Sequence, residues 1–207
     1  GIQFVENEPA MSASQTVRAN AIGVAANGAC LGNGRDGIRL NDGSRFIEVG
    51  GIVAGEGNRI DCNVGNGVTI LGNDSGFGFL RNTFNGNGGL AIDIDNDGVT
   101  ANDPGDGDVW RENFPVLASA ANLGTLTRVQ GALNAAASQN YRIEFFDSTS
   151  CDPSGHGEGA TWIGSTNATT DAAGNAGISV DLTVLAAGRK VTATATVVSG
   201  AEPFIDY

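Results

Sequence analysis

The chain has 207 residues, 32 of them glycine, with five prolines and 41% hydrophobic residues, which is typical of a folded, turn-rich protein of one large or two small domains. Its formal net charge of −12 repels nucleic acid and anionic membranes, so we expect neither as a partner and expect cations to be attracted. No stretch approaches the roughly 18 apolar residues of a membrane span, so membrane insertion is not expected.

The N-terminal region contains the strand-like segment Ile2-Gln3-Phe4-Val5, a polar turn and a second segment from Thr16 to Ile22. These segments form either the first coil of a repeat or a cap over its end. A cap or neighbour is needed because the end of a coil exposes an apolar core and unpaired backbone groups. Because the chain starts at Gly1 without a methionine, we expect a processed form from which any export signal has been removed.

A short pattern returns three times between residues 33 and 98, in which a glycine precedes two apolar residues that flank one outward residue. The returns are Gly37-Ile38-Arg39-Leu40, Gly67-Val68-Thr69-Ile70 and Gly89-Leu90-Ala91-Ile92. Asparagine and glycine punctuate the chain before each return, and a second asparagine anchor recurs at Asn20, Asn58 and Asn82. Two anchors in each return indicate one coil of a solenoid.

This repeat predicts a short right-handed parallel β-helix over residues 1–112. Short strands alternate inward and outward, which places Ile38/Leu40, Val68/Ile70 and Leu90/Ile92 in core columns and Arg39, Thr69 and Ala91 in water. Glycine and asparagine fall at the turns, where both tolerate positive φ. The alternative is an ordinary glycine-rich antiparallel sheet.

Three cysteines are present, at positions 30, 62 and 151. Cys30 and Cys62 are 32 residues apart, close to the 30 residues between Gly37 and Gly67, so they would lie on adjacent coils. Neighbouring strands are about 4.8 Å apart, which permits either a disulfide, implying an oxidising compartment, or two buried thiols. Cys151 is then left as a free or intermolecular thiol.

An acidic loop follows the last return and packs six aspartates into sixteen residues. They are Asp93, Asp95, Asp97, Asp103, Asp106 and Asp108. The first three, followed by Gly98, match the opening of a calcium loop, but Pro104 stands where an EF-hand has its glutamate, so an EF-hand is excluded. The loop therefore predicts either a structural Ca²⁺ site, completed by the last three aspartates, or a solvated acidic junction.

Residues 113–207 show the alternation of an Ig-like β-sandwich with six or seven strands. The alternating sets are Val129/Gly131/Leu133, Tyr141/Ile143/Phe145, Ile178/Val180/Leu182 and Val191/Ala193/Ala195/Val197. Turn signals separate them at intervals of roughly ten residues, as in immunoglobulin-like domains. The fold class predicted for the whole chain is all-β, a short right-handed parallel β-helix followed by an Ig-like β-sandwich.

Several strings resemble bacterial secreted right-handed parallel β-helix repeat proteins that end in an Ig-like module. They are Asp93 to Asp108, Asn113-Phe114-Pro115-Val116-Leu117, Tyr141 to Phe146, Cys151 to Gly159 and Val191 to Ala195. The resemblance implies an exported, surface-associated protein without assigned activity. Members commonly close with Ser-Glu-Phe-Ser and a cysteine that could pair with Cys151, whereas this chain ends Ala201-Glu202-Pro203-Phe204-Ile205-Asp206-Tyr207.

Enzymatic function is not expected. Polysaccharide lyases and hydrolases built on β-helices need carboxylates and a base on one coil face, but the outward residues of the three returns are Arg39, Thr69 and Ala91. His156, the single histidine, lies in a glycine-rich loop without an evident nucleophile and is interpreted as a surface residue.

We therefore expect a non-enzymatic extracellular or cell-surface structural protein. A short coil with apolar termini favours head-to-tail self-association into a fibre or matrix, through edges that contain Ile2 and Phe4 or Phe204 and Tyr207. An adhesin or module that binds a surface glycan is the alternative.

Overall fold

The computed structural model describes residues 1–4, 15–44, 46–72, 76–108 and 111–198. Over these residues the protein is all-β, with sixteen strands in parallel and antiparallel sheets and no helix, so this part of the chain holds no helix that could cross a membrane. The chain divides into two compact units. The first is Gly1–Thr100 with Cys151–Ala160, and the second is Ala101–Ser150 with the described residues from Thr161 onward. The boundary after residue 112 stays a prediction.

The first unit contains ten short strands in three parallel sheets. They are β1 (Ile2–Phe4), β2 (Gln15–Val17), β3 (Ala21–Ile22), β4 (Ile38–Leu40), β5 (Ile47–Gly50), β6 (Arg59–Asp61), β7 (Val68–Ile70), β8 (Phe77–Leu80), β9 (Thr83–Asn85) and β10 (Ile92–Ile94). The sheet orders are β1-β4-β7-β10, β2-β5-β8 and β3-β6-β9. The chain therefore visits the three sheets in turn, and Ile2–Phe4 belongs to the first coil.

Aliphatic side chains at equivalent positions of successive coils form the core of this unit. One column contains Ile2, Ile38, Val68 and Ile92, and the neighbouring column contains Phe4, Leu40, Ile70 and Ile94. Ile38, Leu40 and Val68 are fully buried. Short strands are stabilised here by stacking, because each coil alone is too narrow to bury its own apolar face.

Three details of the predicted columns are wrong. Ile70 aligns with Ile94, and Leu90 precedes the strand, so the last return is Ile92-Asp93-Ile94. A slip of two residues keeps Ile92 on the same face of the strand, which is why the repeat pattern alone could not exclude it. Thr69 is buried instead of facing water, and its hydroxyl accepts a hydrogen bond from the Asn66 side chain at 3.1 Å. Ala91, also predicted to face water, packs against the core because it lies in the turn before the strand.

Asparagine side chains link the coils at two turns. In the first ladder, the side chain of Asn20 donates to the side-chain oxygen of Asn58. The side chain of Asn58 donates in the same way to Asn82 in the next coil. In the second ladder, Asn33 donates to Asn63 at 2.7 Å and Asn63 to Asn87 at 2.8 Å, between side-chain amides. These bonds satisfy polar groups of the ladder residues, four of which are buried.

Glycine is required where a coil turns tightly against the next. Gly50 has a φ of 88°, and a Cβ atom at this position would lie 1.8 Å from the carbonyl oxygen of Leu80 in the following coil. Both the left-handed backbone and the close approach exclude a side chain here.

The second unit contains two three-stranded antiparallel sheets. Its strands are β11 (Val116–Asn122), β12 (Leu126–Asn134), β13 (Asn140–Ser148), β14 (Thr161–Thr169), β15 (Asn175–Thr183) and β16 (Lys190–Val197), in the orders β11-β12-β15 and β14-β13-β16. The two sheets share one core, in which Val129, Leu133, Tyr141, Ile143 and Phe145 are buried. These residues alternate along β12 and β13, as the sequence pattern predicts.

Candidate functional site: an acidic loop in the second unit

Three aspartates of the loop that precedes β11 lie close together. Each of Asp103, Asp106 and Asp108 offers a carboxylate oxygen, and these oxygens lie within 4.8 Å of one another. All three residues are half-buried. The acidic run in the sequence is thus folded so that its last three carboxylates face a common point.

Asn113 holds this loop in shape. Its backbone amide donates to Asp106 at 2.9 Å, and its side-chain amide donates to the backbone oxygens of Asp103 at 2.7 Å and of Asn134 at 2.8 Å. The Asp103 carboxylate accepts the backbone amide of Gly107 at 2.9 Å. Because Asn113 is itself buried, the aspartates are positioned by a fixed framework of amides.

Glu112 and Tyr141 flank the aspartate cluster. The carboxyl groups of Glu112 and Asp106 are in contact. Although Glu112 is exposed as a residue, desolvation of its carboxyl group together with the Asp106 charge raises the pKa of Glu112 to about 8. Burial also raises the pKa of Asp106, and the nearby Asp108 and Asp103 charges act in the same direction. Two carboxylates in contact repel each other, which favours a shared proton or a cation between them.

The Tyr141 hydroxyl lies beside these acids. Tyr141 is fully buried, and its hydroxyl makes no hydrogen bond of good geometry with the described residues, although it approaches the Ala136 backbone and the Glu112 carboxyl group. Its pKa is raised by burial and then by the charges of Glu112 and Asp106. A buried hydroxyl that faces several carboxyl groups makes this an oxygen-rich environment.

Oxygen ligands of this kind suit a hard cation. Ca²⁺ takes six to eight oxygens from carboxylates, carbonyls and water, with flexible geometry. Asp103, Asp106 and Asp108 fit this donor set, and Glu112 adds a fourth carboxyl group in contact with Asp106. Among the residues that the structure describes, no other group of acidic, histidine or cysteine side chains converges in this way.

The other three aspartates of the predicted calcium set belong to the first unit. Asp93 lies in β10, is buried, and accepts hydrogen bonds from the Asn66 side chain at 2.9 Å and the Gly98 amide at 3.2 Å. Asp95 and Asp97 lie in the turn after β10. Asp93 therefore closes the turn over Thr69, and the converging group contains none of these three residues.

The cysteines are placed as follows. Cys30 and Cys62 form a disulfide with their Cα atoms 5.6 Å apart, and Cys151 is a free, exposed thiol. Of the two alternatives for the first pair, the structure contains the bridge. It lies beside the ladder residue Asn63 and links successive coils of the first unit.

The predicted association edges are described only in part. β1, which contains Ile2 and Phe4, is an edge strand of the first sheet, and both side chains pack against the core of the coil. Phe204 and Tyr207 lie outside the described residues.

Five other buried or half-buried acids have arginine partners. Such pairs join Arg39 to Asp36, Arg59 to Asp61, Arg18 to Glu48, Arg142 to Glu144 and Arg189 to Asp147. These ion pairs indicate a structural role for the five acids.

His156 is exposed and lies in the segment between β13 and β14.

Sequence reasoning missed Glu112, Tyr141 and Glu158 as residues of interest. Glu112 stands only four residues after Asp108, so its proximity to the acidic run was a usable signal. Tyr141 and Glu158 are distant in sequence from the groups they approach, and only the fold brings them there.

No family model matches the chain, and no curated protein matches it. The family resemblance therefore stays a prediction.

Proposed function

We propose that this chain is a short right-handed parallel β-helix followed by an Ig-like β-sandwich, and that it serves as a non-enzymatic structural module of a bacterial extracellular or cell-surface protein. The observation that carries this proposal is the pair of asparagine ladders beside stacked aliphatic columns. Such an arrangement fixes each coil to the next through its turns and its core, as a structural scaffold requires. The disulfide between coils also suits an oxidising, extracellular location.

The distribution of charge supports a structural task. A hydrolase needs two carboxyl groups at a defined separation, and a lyase of this type pairs Ca²⁺ with an arginine or lysine base near the substrate. In the first sheet, the aligned residues between the two core columns are Gln3, Arg39, Thr69 and Asp93, of which Thr69 and Asp93 are buried. Arg39 is paired with Asp36 at 2.8 Å.

Ca²⁺ is the cofactor we propose, in a structural role, at Asp103, Asp106 and Asp108 with Glu112. Two observations support this calcium site. The first is the convergence of the three aspartates, and the second is the fully buried Tyr141 hydroxyl that faces the same acids. A divalent cation would relieve the repulsion between the carboxylates and lower the pKa of Glu112.

Self-association is the partner interaction we propose. β1 presents an edge of the first sheet, and Ile2 and Phe4 on it are only partly buried, so the first coil offers backbone groups and apolar surface to a second copy. A glycan-binding adhesin is the alternative function.

Sedimentation across micromolar to millimolar concentration, with Ca²⁺ and with chelator, tests this function. We expect concentration-dependent association that weakens in a Gln3→Pro variant, because proline removes a backbone donor from the β1 edge. A protein that stays monomeric throughout and binds a glycan saturably is an adhesin. Release of unsaturated sugars that absorb in the ultraviolet would instead establish a lyase.

A further inference from the structure

The second asparagine ladder has a regular hydrogen-bond pattern. The backbone amide of Asn33 donates to the side-chain oxygen of Asn63 at 3.3 Å, and the backbone amide of Asn63 donates to that of Asn87 at 3.1 Å. Each asparagine thus offers its amide to a side-chain oxygen on the following coil. Asn87 is the last asparagine of the ladder, so its amide needs an acceptor from elsewhere.

Glu158 supplies this acceptor. The backbone amide of Asn87 donates to the Glu158 carboxylate at 2.9 Å, in the position that an asparagine oxygen takes in the coils before it. The neighbouring Gly159 pairs with Phe84 of the edge strand β9, with N–O distances of 2.9 and 3.3 Å between their backbone groups. Residues 157–160, here called the cap, therefore occupy the place of a further coil.

We propose that the cap closes the end of the coil, with Glu158 as the terminal acceptor of the asparagine ladder, and that deprotonation of Glu158 loosens the cap. The cap holds the turn at Asn87 and the edge strand β9 in place. The cap covers backbone groups that would be exposed at an uncapped end of the coil. Exposed backbone groups at a sheet edge favour pairing with another chain.

The direction of the pH effect follows from the surroundings of Glu158. Burial raises its pKa to about 7, and the charges of Asp61 and Asp152 act in the same direction, against the amides of Asn87 and Gly86, which lower it. Asp61 is paired with Arg59 at 2.5 Å. Since an undocked cap would expose Glu158 and restore its ordinary pKa, docking favours the protonated form, whose carbonyl oxygen still accepts the Asn87 amide.

The cap is therefore fully docked below about pH 4.5 and is progressively destabilised as the pH rises through about 7. This pH dependence of docking is opposite in sign to that of an ion-paired carboxylate, whose stabilising effect is lost as the pH falls. Each unit of pKa difference corresponds to a factor of ten in the docking equilibrium.

Amide hydrogen exchange of the full chain tests the proposal. In the native protein, protection of the Asn87 and Phe84 amides, corrected for intrinsic exchange, should fall about tenfold or more between pH 5 and pH 8. Glu158→Gln keeps a neutral acceptor oxygen and should hold protection high at both pH values. Glu158→Ala should lower protection at both.

Two controls make the result decisive. The Asn63 amide, which donates within the ladder, should keep its protection in all variants. Asp152→Asn, which removes a neighbouring charge but leaves the acceptor, should keep Asn87 protected at pH 5. A pH-independent Asn87 amide in the native protein, or equal loss of protection in Asp152→Asn and Glu158→Ala, would overturn the proposal.

The cap should also limit self-association at this end of the coil, a consequence that rests on the proposed function. A strand of a second copy can pair with β9 only when Gly159 has left it, so Glu158→Ala should increase association in sedimentation. If exchange shows the β9 edge opened while association stays unchanged, the cap is established and association at this end is excluded. If Asn87 stays protected in Glu158→Ala, the cap itself is refuted.

Discussion

Asn58 donates twice to the side-chain oxygen of Asn82, from its backbone amide at 3.0 Å and from its side chain at 2.9 Å. The same side chain also donates to the Val17 carbonyl oxygen at 2.6 Å, so that one residue ties three coils together. Asn58 and Asn82 are both buried. The 24-residue spacing that marks these asparagines in the sequence is the spacing of one coil.

Replacement of Asn58 should be strongly destabilising. Asn58→Ala leaves the Asn20 amide and the Val17 carbonyl without their partner, and each buried polar group left unsatisfied costs about 1–3 kcal/mol. We expect urea denaturation to show a loss of about 2–4 kcal/mol in the free energy of unfolding. Asn27→Ala, which removes an exposed side-chain acceptor, is the matched control and should change little. Equal stability of the two variants would show that the ladder is not a stabilising element.

The core register predicts different costs for two leucines. Leu40 is fully buried in a column with Ile70 and Ile94, and Leu40→Ala should cost about 2–5 kcal/mol in the free energy of unfolding. Leu90 lies before β10 and is only partly buried, so Leu90→Ala should cost roughly half of this or less. A larger cost at Leu90 than at Leu40 would favour the register in which Leu90 belongs to the column.

Calcium binding should depend on the clustered aspartates. Calorimetric titration should give one site, and Ca²⁺ should raise the melting temperature relative to chelator, because a ligand that binds only the folded state stabilises it. Asp106→Asn and Asp108→Asn should abolish or greatly weaken both effects. Asp97→Asn makes the same change in the acidic run, outside the converging group, and should leave them intact. Loss of binding in Asp97→Asn would instead support the six-aspartate set.

Without Ca²⁺, Glu112 should make stability fall as the pH rises. Its pKa of about 8 in the folded chain lies above the ordinary value of 4.5, so the folded state holds the extra proton and its stabilising effect is lost between about pH 4.5 and pH 8. Glu112→Gln should flatten this part of the profile, measured by urea denaturation in chelator. Added Ca²⁺ should flatten it in the native chain as well. A profile unchanged by the substitution would remove Glu112 from the site.

Reduction of the disulfide should weaken the first unit. Removing the bridge with Cys62→Ser should lower the free energy of unfolding by about 2–4 kcal/mol, because a loop of some thirty residues is no longer closed in the unfolded chain. Cys151→Ser is the control and should leave this stability unchanged. Dimers on a non-reducing gel should disappear in Cys151→Ser, since this exposed thiol is the one free cysteine of the chain.

The sequence by itself determined the all-β class, the places of most strands and the spacing of the asparagine ladders. These follow from local physics, because alternation of apolar residues fixes which side of a strand is buried and Gly and Asn mark the turns. It also placed the cysteine pair on adjacent coils and singled out the acidic run.

Only the tertiary structure decided the register of the last return, because a slip of two residues leaves every side chain on the same face of its strand. It also decided which aspartates converge, since Asn113 bends the loop through contacts that the sequence does not reveal. The contact of Glu158 with Asn87 depended on the fold entirely. Glu158 lies 71 positions after Asn87, and the sequence around neither residue indicates that they meet.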